Sequence, residues 1–379
     1  MRRGLLLLVT VAVGALVLSA CLPPAPDPVI PAAPTTPSTS PSTTTTTKAP
    51  ATTTTTKPPT TTTKPAVTTT TSTTTTTRPP TGGSWAQNGS LGSCTVFPAD
   101  NAWNRDVSSL PVDTNSASYL AGIAGLGGNQ KLHADFGGAG EYGIPYITVP
   151  GTQAKVPVDF TDYGDESDPG PYPIPLNAPV EGGSDAHVLA VDRDHCKLYE
   201  LFASSPGSSR WSAASGAVFD LTSNALRPEG WTSADAAGLP MFPGLLRYEE
   251  AATGEIRHAI RFTVQRAQRA YVAPARHLGT RQTPACLPYG ARLRLRASFP
   301  EAPYRGPALA VVRALKRYGM IFADQGSAVY LSGTSDARWE PTIGAINQEH
   351  PISGADFEVV RLPAITRDWK PSGPPSGAC

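Results

Sequence analysis

The sequence predicts a mainly β domain, an antiparallel β-sandwich or barrel-like sheet with a few short helices, in residues 83–379. Short runs of β-branched and aromatic residues recur along this part of the chain. Turns rich in Gly and Pro separate these runs, and few segments have a helical pattern. No repeat of fixed period interrupts this arrangement, so we expect one coherent domain.

Residues 1–21 are predicted to be a signal peptide. Arg2 and Arg3 give a basic start, and the apolar run that follows is shorter than the roughly 20 residues that span a bilayer. The run ends in Leu-Ser-Ala-Cys, which resembles the lipobox of bacterial lipoproteins. This resemblance implies cleavage before Cys21 and lipidation of that residue. An ordinary secretory signal that happens to contain a cysteine is the alternative.

Residues 22–82 consist almost entirely of Thr, Pro, Ser and Ala. Such a segment buries too little apolar surface to fold, so we expect a disordered linker. Its prolines favour extended conformations, in which it could span roughly 190 Å. The first 82 residues therefore predict an extracytoplasmic domain that a lipid anchors to the membrane and a stalk displays in or beyond the cell wall.

The charge of the domain disfavours a nucleic-acid partner. Six of the 31 Lys and Arg residues and one of the 30 Asp and Glu residues precede residue 83, which leaves 25 against 29, a net charge of −4. A nucleic-acid-binding protein needs a basic face. We expect a monomer whose partners are a polysaccharide and, through Cys21, the membrane.

Four cysteines remain in the domain, and an even number in an exported chain predicts two disulfides. Three pairings are possible. We favour Cys94–Cys196 with Cys286–Cys379, which would tie both ends of the domain to its body. The spacing of the four cysteines fits no zinc motif.

The strand and helix predictions follow from hydrophobic periodicity. A strong helix is expected from Pro307, which suits a first turn, to Gly319, which suits a left-handed stop, and a short one at 115–126. Strands are expected at residues 144–149, 155–160, 187–191, 198–202, 217–221, 256–264, 270–273, 291–297, 320–323, 329–332 and 357–361.

Two histidines are candidate catalytic residues. His187 opens a hairpin whose polar turn spans residues 192–195, and it shares a strand face with Leu189 and Val191. His258 similarly alternates with apolar residues of its predicted strand. Such histidines could meet as a metal pair or as an acid/base with its orienting partner, although nothing in the sequence requires a cofactor. Buried structural histidines are the alternative.

The long loop at residues 162–173 combines carboxylates with aromatic rings and prolines. Rings stack on sugars, carboxylates accept bonds from hydroxyl groups, and glycoside hydrolysis needs carboxylates as acid and nucleophile. A solvated or calcium-stabilised acidic loop is the alternative. The candidate catalytic residues here are Asp165, Glu166 and Asp168, and the candidate substrate-binding residues are Tyr163 and Tyr172.

Residues 224–240 form a second candidate region. Asp235 could be catalytic beside Trp231, a substrate-binding candidate, whereas Ser233 is expected to cap a short helix at 234–237. The sequence contains no Gly-x-Ser-x-Gly motif, which disfavours a standard serine hydrolase.

Asp324 lies in a predicted hairpin turn, where it either binds substrate or hydrogen-bonds its own backbone. Together with Leu-Pro-Tyr-Gly-Ala-Arg at 287–292, this turn faintly resembles double-psi barrel domains of peptidoglycan lytic transglycosylases. In those enzymes an aspartate acts on the glycan as general acid and base. A helix between the two segments departs from that pattern.

A broader resemblance covers most of residues 95–361. The segments 149–157, 165–173, 231–240, 317–333 and 336–339 resemble a family of uncharacterised secreted bacterial proteins, in which Asn tends to replace His195. This resemblance implies one coherent domain and no particular chemistry. The sequence as a whole thus predicts a cell-envelope lipoprotein that acts on polysaccharide by glycan hydrolysis. A non-catalytic carbohydrate-binding, adhesion or wall-anchoring module and a lytic transglycosylase are the alternatives.

Overall fold

The computed structural model describes residues 85–124, 131–137 and 142–379. The predicted signal peptide, Cys21 and the linker lie outside the described residues. Those residues confirm the mainly β prediction, since they form sixteen strands and only four short α-helices. Among them, no helix has the length and apolar character needed to cross a membrane.

Each strand predicted from the sequence is present, most of them shortened at one or both ends. The strands are β1 (Ala86–Gln87), β2 (His133–Ala134), β3 (Tyr146–Val149), β4 (Val158–Phe160), β5 (Val188–Asp192), β6 (Lys197–Phe202), β7 (Ser205–Pro206), β8 (Trp211–Ala213), β9 (Ser215–Asp220), β10 (Ile260–Val264), β11 (Gln268–Tyr271), β12 (Pro288–Tyr289), β13 (Arg292–Leu295), β14 (Met320–Gln325), β15 (Tyr330–Leu331) and β16 (Phe357–Val359).

The helices are α1 (Ser116–Ala124), α2 (Tyr248–Ala252), α3 (Gly306–Arg317) and α4 (Glu340–Gly344). Helix α3 matches its prediction: Pro307 lies in its first turn, and Val312 and Leu315 are buried on one face. Gly319, just beyond its end, has φ +69°, a conformation that favours glycine. Shorter helical turns span Gly164–Glu166, Phe242–Gly244, Ala337–Trp339, Ala345–Glu349 and Gly354–Asp356.

The first sheet has the strand order β1-β3-β5-β6-β9 and contains the predicted hairpin, β5 with β6. Val191 pairs with Leu198 across the two strands, and both are completely buried. The Asp192 carboxylate closes the turn, since it accepts the backbone N–H groups of Asp194 and His195 at 3.0 Å each.

The second sheet has the order β16-β13-β14-β10-β15-β2. Strand β10 lies between β14, to which it is parallel, and β15, to which it is antiparallel. Helix α3 connects β13 to β14, and the buried rings of Phe262 and Phe322 pack 5.6 Å apart between β10 and β14. This sheet carries one half of the candidate site.

The strand pairing is mixed rather than purely antiparallel. Parallel pairs join β10 with β14, β3 with β5, β4 with β8, β11 with β12 and β15 with β2. Four of these pairs unite strands that are separated by other elements of the chain, and β11 and β12 are joined by a long connection without a helix or strand. A hairpin turn is too short to make a parallel connection, so local turn signals did not reveal these pairs.

Both disulfides form as predicted. Cys94 is bonded to Cys196, and Cys286 is bonded to Cys379. The first bond attaches the segment before α1 to the β5–β6 turn, and the second attaches the final residue to the segment before β12. Two hydrophobic clusters lie beneath them, a large one that includes Trp103 and Phe262 and a smaller one around Trp211.

Candidate functional site

Residues 231–237, which we term the central segment, contact several of the predicted site residues. The backbone N–H of Thr232 donates to Glu166 Oε2 at 2.7 Å. His187 Nε2 donates to the carbonyl oxygen of Ala234 at 3.1 Å. The backbone N–H of Ala237 donates to the carbonyl of Ala323, next to Asp324, at 3.0 Å. The fold thus gathers residues that are far apart in the sequence around one short segment.

The helix predicted at 234–237 does not form, so that prediction was wrong. Ser233 Oγ instead accepts the N–H of Asp235 at 2.9 Å and donates to the carbonyl of Leu239 at 2.6 Å. Gly238 has φ +70°, and its N–H donates to the Asp235 carbonyl at 2.9 Å. These local bonds fold the segment into turns and direct the Asp235 side chain inwards.

Asp235 forms a bidentate ion pair with Arg261 on β10. Arg261 Nε donates to Asp235 Oδ2 at 2.8 Å, and Nη2 donates to Oδ1 at 2.9 Å. Asp235 is completely buried, and Arg261 Nη1 donates to Ser332 Oγ at 2.7 Å. Burial alone would lower the pKa of Arg261, but the adjacent Asp235 carboxylate raises it above its usual value. Asp235 is therefore held as a charged partner with no route to a substrate.

Asp324 is the third member of this cluster. It lies within β14 rather than in the predicted hairpin turn, because β14 and β15 each pair with β10 and not with each other. Arg261 Nη2 also donates to Asp324 Oδ2, at 3.3 Å, and the Gln325 N–H donates to Oδ1 at 2.6 Å. Desolvation and the neighbouring Asp235 carboxylate raise the pKa of Asp324 to about 7. The side chain nevertheless retains 23% of its exposure, so part of it faces solvent.

His187 forms the inner side of the site. Its Nδ1 donates to the Glu181 carboxylate, and its Nε2 donates to a carbonyl, so both ring nitrogens carry protons. Burial alone would lower the pKa of His187, but the hydrogen bond and charge of Glu181 raise it above its usual value. The imidazolium is thus a buried cation with its own counter-ion.

Glu200, on β6, is a second neutral acid close to this cluster. Its carboxyl group is fully buried and accepts the N–H groups of Met241 and Phe242 at 3.0 and 2.9 Å. Burial raises the pKa of Glu200 to about 7. Asp235 is neutralised by Arg261 and Glu181 by His187, which leaves Glu200 and Asp324 as the acids without a full counter-charge. Of these two, only Asp324 is accessible.

The acidic loop lies on one side of the site, and the carboxylates of Glu166 and Asp168 are already bound to protein groups. Asp168 pairs with Arg227, whose Nη2 and Nε donate to the carbonyls of Glu166 and Thr232 at 2.7 Å each. The Arg227 guanidinium also lies 5.5 Å from the ring centre of Trp231. Glu166 and Asp168 therefore hold the loop against the central segment.

The remaining predicted residues of the loop are placed differently. Tyr172 is buried, its hydroxyl group donates to the Asp168 carbonyl at 2.7 Å, and its ring packs 5.3 Å from Tyr199. Tyr163 and Asp165 are exposed, and no contact in the described residues joins their side chains to the central segment. Tyr172 is thus part of the core rather than a surface for substrate.

His258 lies in a separate cluster. Its Nε2 donates to Glu250 Oε2 at 2.9 Å and its Nδ1 to the Ala259 carbonyl at 2.8 Å. His187 and His258 share no partner, so the structure does not bring them together as a metal pair. Within the described ranges, no group of three or more His, Cys, Asp or Glu side chains could hold a metal ion.

Four residues of the site were not predicted from the sequence: Arg261, Arg227, Glu181 and Glu200. Arg261 and Glu200 did leave a signal, because each is a charged residue within an otherwise apolar strand run. Glu181 and Arg227 lie in loops, where charged residues are ordinary, and left none.

Comparison with known proteins adds no relative to this description: no family model, no curated protein and no solved structure matches the chain. Its function is therefore inferred from the cluster of Asp324, Arg261, Asp235, His187 and Glu181.

Proposed function

We propose that this domain is an extracytoplasmic glycan-cleaving enzyme in which Asp324 is the general acid. One observation carries the proposal: Asp324 is an accessible carboxyl group with a pKa raised to about 7, held beside a buried ion pair. A general acid must be protonated at the working pH and still be able to lose its proton, which a pKa near 7 allows.

The chemistry follows from the contacts of Asp324. Its proton would pass to the glycosidic oxygen as the C–O bond to the departing sugar breaks. The carboxylate left behind is stabilised by Arg261, whose Nη2 lies 3.3 Å from Oδ2. Asp235 holds this guanidinium in place, so it acts as a positioning residue.

Breaking this C–O bond leaves a positively charged sugar, and in a site with a single acid this cation can react in two ways. Water can attack the cation, with Asp324 accepting a proton from it, and the product then has an ordinary reducing end. A hydroxyl group of the same sugar can attack instead, losing its proton to the Asp324 carboxylate, and the product is an anhydro sugar that is lighter by one water than the hydrolysis product. In either route Asp324 must accept the proton, because Asp235, Glu166 and Asp168 are engaged in ion pairs or hydrogen bonds and are not free to act as nucleophile or base.

The proposed location supports a glycan as substrate. The signal peptide, lipidated Cys21 and Thr/Pro-rich linker predicted in residues 1–82 would display the domain in or beyond the cell wall. Polysaccharide is the most abundant polymer there. The net charge of −4 predicted for the domain fits a neutral chain better than a polyanion.

A non-catalytic carbohydrate-binding module is the second candidate. It is favoured by the engagement of Glu166 and Asp168 in ion pairs and hydrogen bonds with Arg227 and Thr232, which is how a purely structural loop would be built. On this reading the raised pKa of Asp324 has no consequence for a substrate.

One experiment separates these candidates. The purified protein is incubated with peptidoglycan strands, chitohexaose, cellohexaose and xylohexaose, and both bound and released sugar are measured by mass spectrometry. The proposal predicts released fragments with the wild type and none with Asp324→Asn, and the fragment mass distinguishes hydrolysis from anhydro-sugar formation. Binding without release would favour the module, and neither binding nor release would contradict both candidates.

A further inference from the structure

Asp324 belongs to a row of side chains that crosses four strands of the second sheet. Thr263 on β10 pairs with Asp324 on β14 and with Tyr330 on β15. Tyr330 pairs in turn with His133 on β2. Thr263, Tyr330 and His133 therefore project to the same face of the sheet. The register between β10 and β14 shifts just before Asp324, and the bond of Asp324 to Arg261, two residues before Thr263 on β10, brings its carboxyl group to that face.

Part of this face is open to solvent, although Arg261, which also lies on it, is buried against Asp235. All four members of the row are partly exposed, whereas the residue next to each one along its strand is buried. These buried neighbours are Ala323 (0%), Phe262 (0%), Leu331 (3%) and Ala134 (1%). The row is therefore an accessible strip that begins at the proposed acid and ends at the edge strand β2.

Aromatic rings occupy the far part of the strip. The rings of His133 and Tyr330 lie 4.3 Å apart, and Tyr142 meets Tyr330 edge to face at 6.4 Å. Tyr142 is 55% exposed. We term Tyr142, Tyr330 and His133 the aromatic platform.

We propose that the aromatic platform is a sugar-binding subsite of the glycan cleft, on which a pyranose ring of the substrate stacks while Asp324 acts further along the same chain. The inference rests on the proposed function. Strand spacing puts the backbone of Tyr330 about 10 Å, and that of His133 about 14 Å, from the backbone of Asp324. A short oligosaccharide covers such a distance.

The chemistry of the strip supports a sugar as its ligand. Aromatic faces bind the apolar C–H face of a pyranose, and the hydroxyl group of Tyr330 and the carboxylate of the nearby Asp135 can bind sugar hydroxyl groups. The four members of the row and Tyr142 include no Lys or Arg, which disfavours a phosphate or a polyanion.

The test is a calorimetric titration of the full chain with chitohexaose, cellohexaose, xylohexaose and solubilised peptidoglycan strands. The variants are Tyr142→Ala, which removes an exposed ring, and Tyr330→Leu, which keeps most of the apolar volume. Leu226→Ala is the control, because Leu226 is similarly exposed at 48% but lies outside the strip. Thermal unfolding verifies that each variant is folded.

We expect about tenfold weaker binding of at least one hexasaccharide or strand preparation by Tyr142→Ala and by Tyr330→Leu, and unchanged binding by Leu226→Ala. Unaltered affinity in both tyrosine variants would overturn the inference, as would a wild type that binds none of the probes.

These outcomes are separable from those of the proposed function. If both tyrosine variants bind normally while Asp324→Asn abolishes cleavage, the subsite is refuted and the acid is retained. If the tyrosine variants lose affinity while Asp324→Asn cleaves at the wild-type rate, the platform is retained as a binding surface and the acid is refuted.

Discussion

Asp235 and Arg261 form a bidentate ion pair that is almost completely sealed from solvent, and the same guanidinium reaches the accessible Asp324. This arrangement gives the two carboxyl groups different tasks. Asp235 holds both ends of the guanidinium fork, whereas Asp324 receives one long bond and has a pKa raised to about 7.

The first prediction concerns Asp235→Asn. The change leaves a buried guanidinium without its counter-ion, which should lower the free energy of unfolding by about 3–5 kcal/mol. Urea unfolding measures this loss. Asp159→Asn is the matched control, because Asp159 forms a solvent-exposed ion pair with Arg210. Its loss should lower the free energy of unfolding by less than about 1 kcal/mol. Equal, small effects of the two changes would refute a structural role for the Asp235–Arg261 pair.

The second prediction concerns pH. The pKa of Glu200 is raised from 4.5 to about 7 and that of Asp324 from 3.8 to about 7, so between those values the folded protein binds more protons than the unfolded chain. The free energy of unfolding should therefore fall as the pH rises from about 4 to about 8. His187 changes the stability in the same direction, because its pKa is raised in the folded protein. Its contribution to the free energy of unfolding is complete below pH 6.5 and is lost as the pH rises through the pKa of the folded state.

Glu200→Gln tests this sign. The amide imitates the neutral acid and still accepts a backbone N–H. Between pH 5 and pH 9 the free energy of unfolding should therefore fall by about 3 kcal/mol less in the variant than in the wild type. Urea midpoints across the pH range give the two slopes. Below about pH 4 Glu250 acts oppositely, because its pKa is lowered to about 2 and its contribution is lost on acidification. A wild type that becomes more stable between pH 5 and pH 9 would show that Glu200 is ionised in the fold.

The third prediction concerns the attachment of the acidic loop. Arg227→Met removes the partner of Asp168 and leaves the carbonyls of Glu166 and Thr232 without their donors, at a cost of about 2 kcal/mol. Faster hydrogen exchange at residues 162–173 should accompany this loss. Lys197→Met, which breaks only the exposed pair with Asp220, should leave the exchange unchanged. Unchanged exchange in Arg227→Met would mean that other contacts hold the loop.

The fourth prediction concerns the Cys94–Cys196 bond, whose cysteines are 102 residues apart. Replacing both by serine frees a long segment of the unfolded chain and should cost about 2–5 kcal/mol. Thermal unfolding of the double variant measures the loss, with the reduced wild type as its counterpart. A double variant as stable as the oxidised protein would indicate that the hairpin turn is held without the bond.

The sequence predicted local structure better than it predicted the site. Helix α3 and the β5–β6 hairpin have start and stop signals within a few residues, and the structure contains both. The disulfide pairing was also predicted correctly, from the expectation that one bond ties each end of the domain to its body. Strands β1, β2, β7 and β12 have two residues each, too few to show any periodicity.

The site depends on contacts between distant residues, and periodicity does not report these. Asp324 was proposed as a substrate-binding residue, but its raised pKa arises from Asp235 and from burial under segments far away in the chain. The row from Asp324 to His133 exists because β10 pairs with both β14 and β15, which no local pattern shows. Ser233 fitted a helix cap, yet its hydroxyl group bonds the backbone of Asp235 and Leu239 and folds the segment into turns instead.

The most direct test of the account is the pH dependence of kcat/KM for glycan cleavage by the wild type and by Asp324→Asn, on the glycan that the screen identifies. If Asp324 is the general acid, wild-type kcat/KM should fall above about pH 7, because Asp324 then loses its proton. Asp324→Asn should also be about 10²–10⁴-fold slower with its fold intact. An Asp324→Asn variant that cleaves at the wild-type rate, with the same pH profile, would contradict the account.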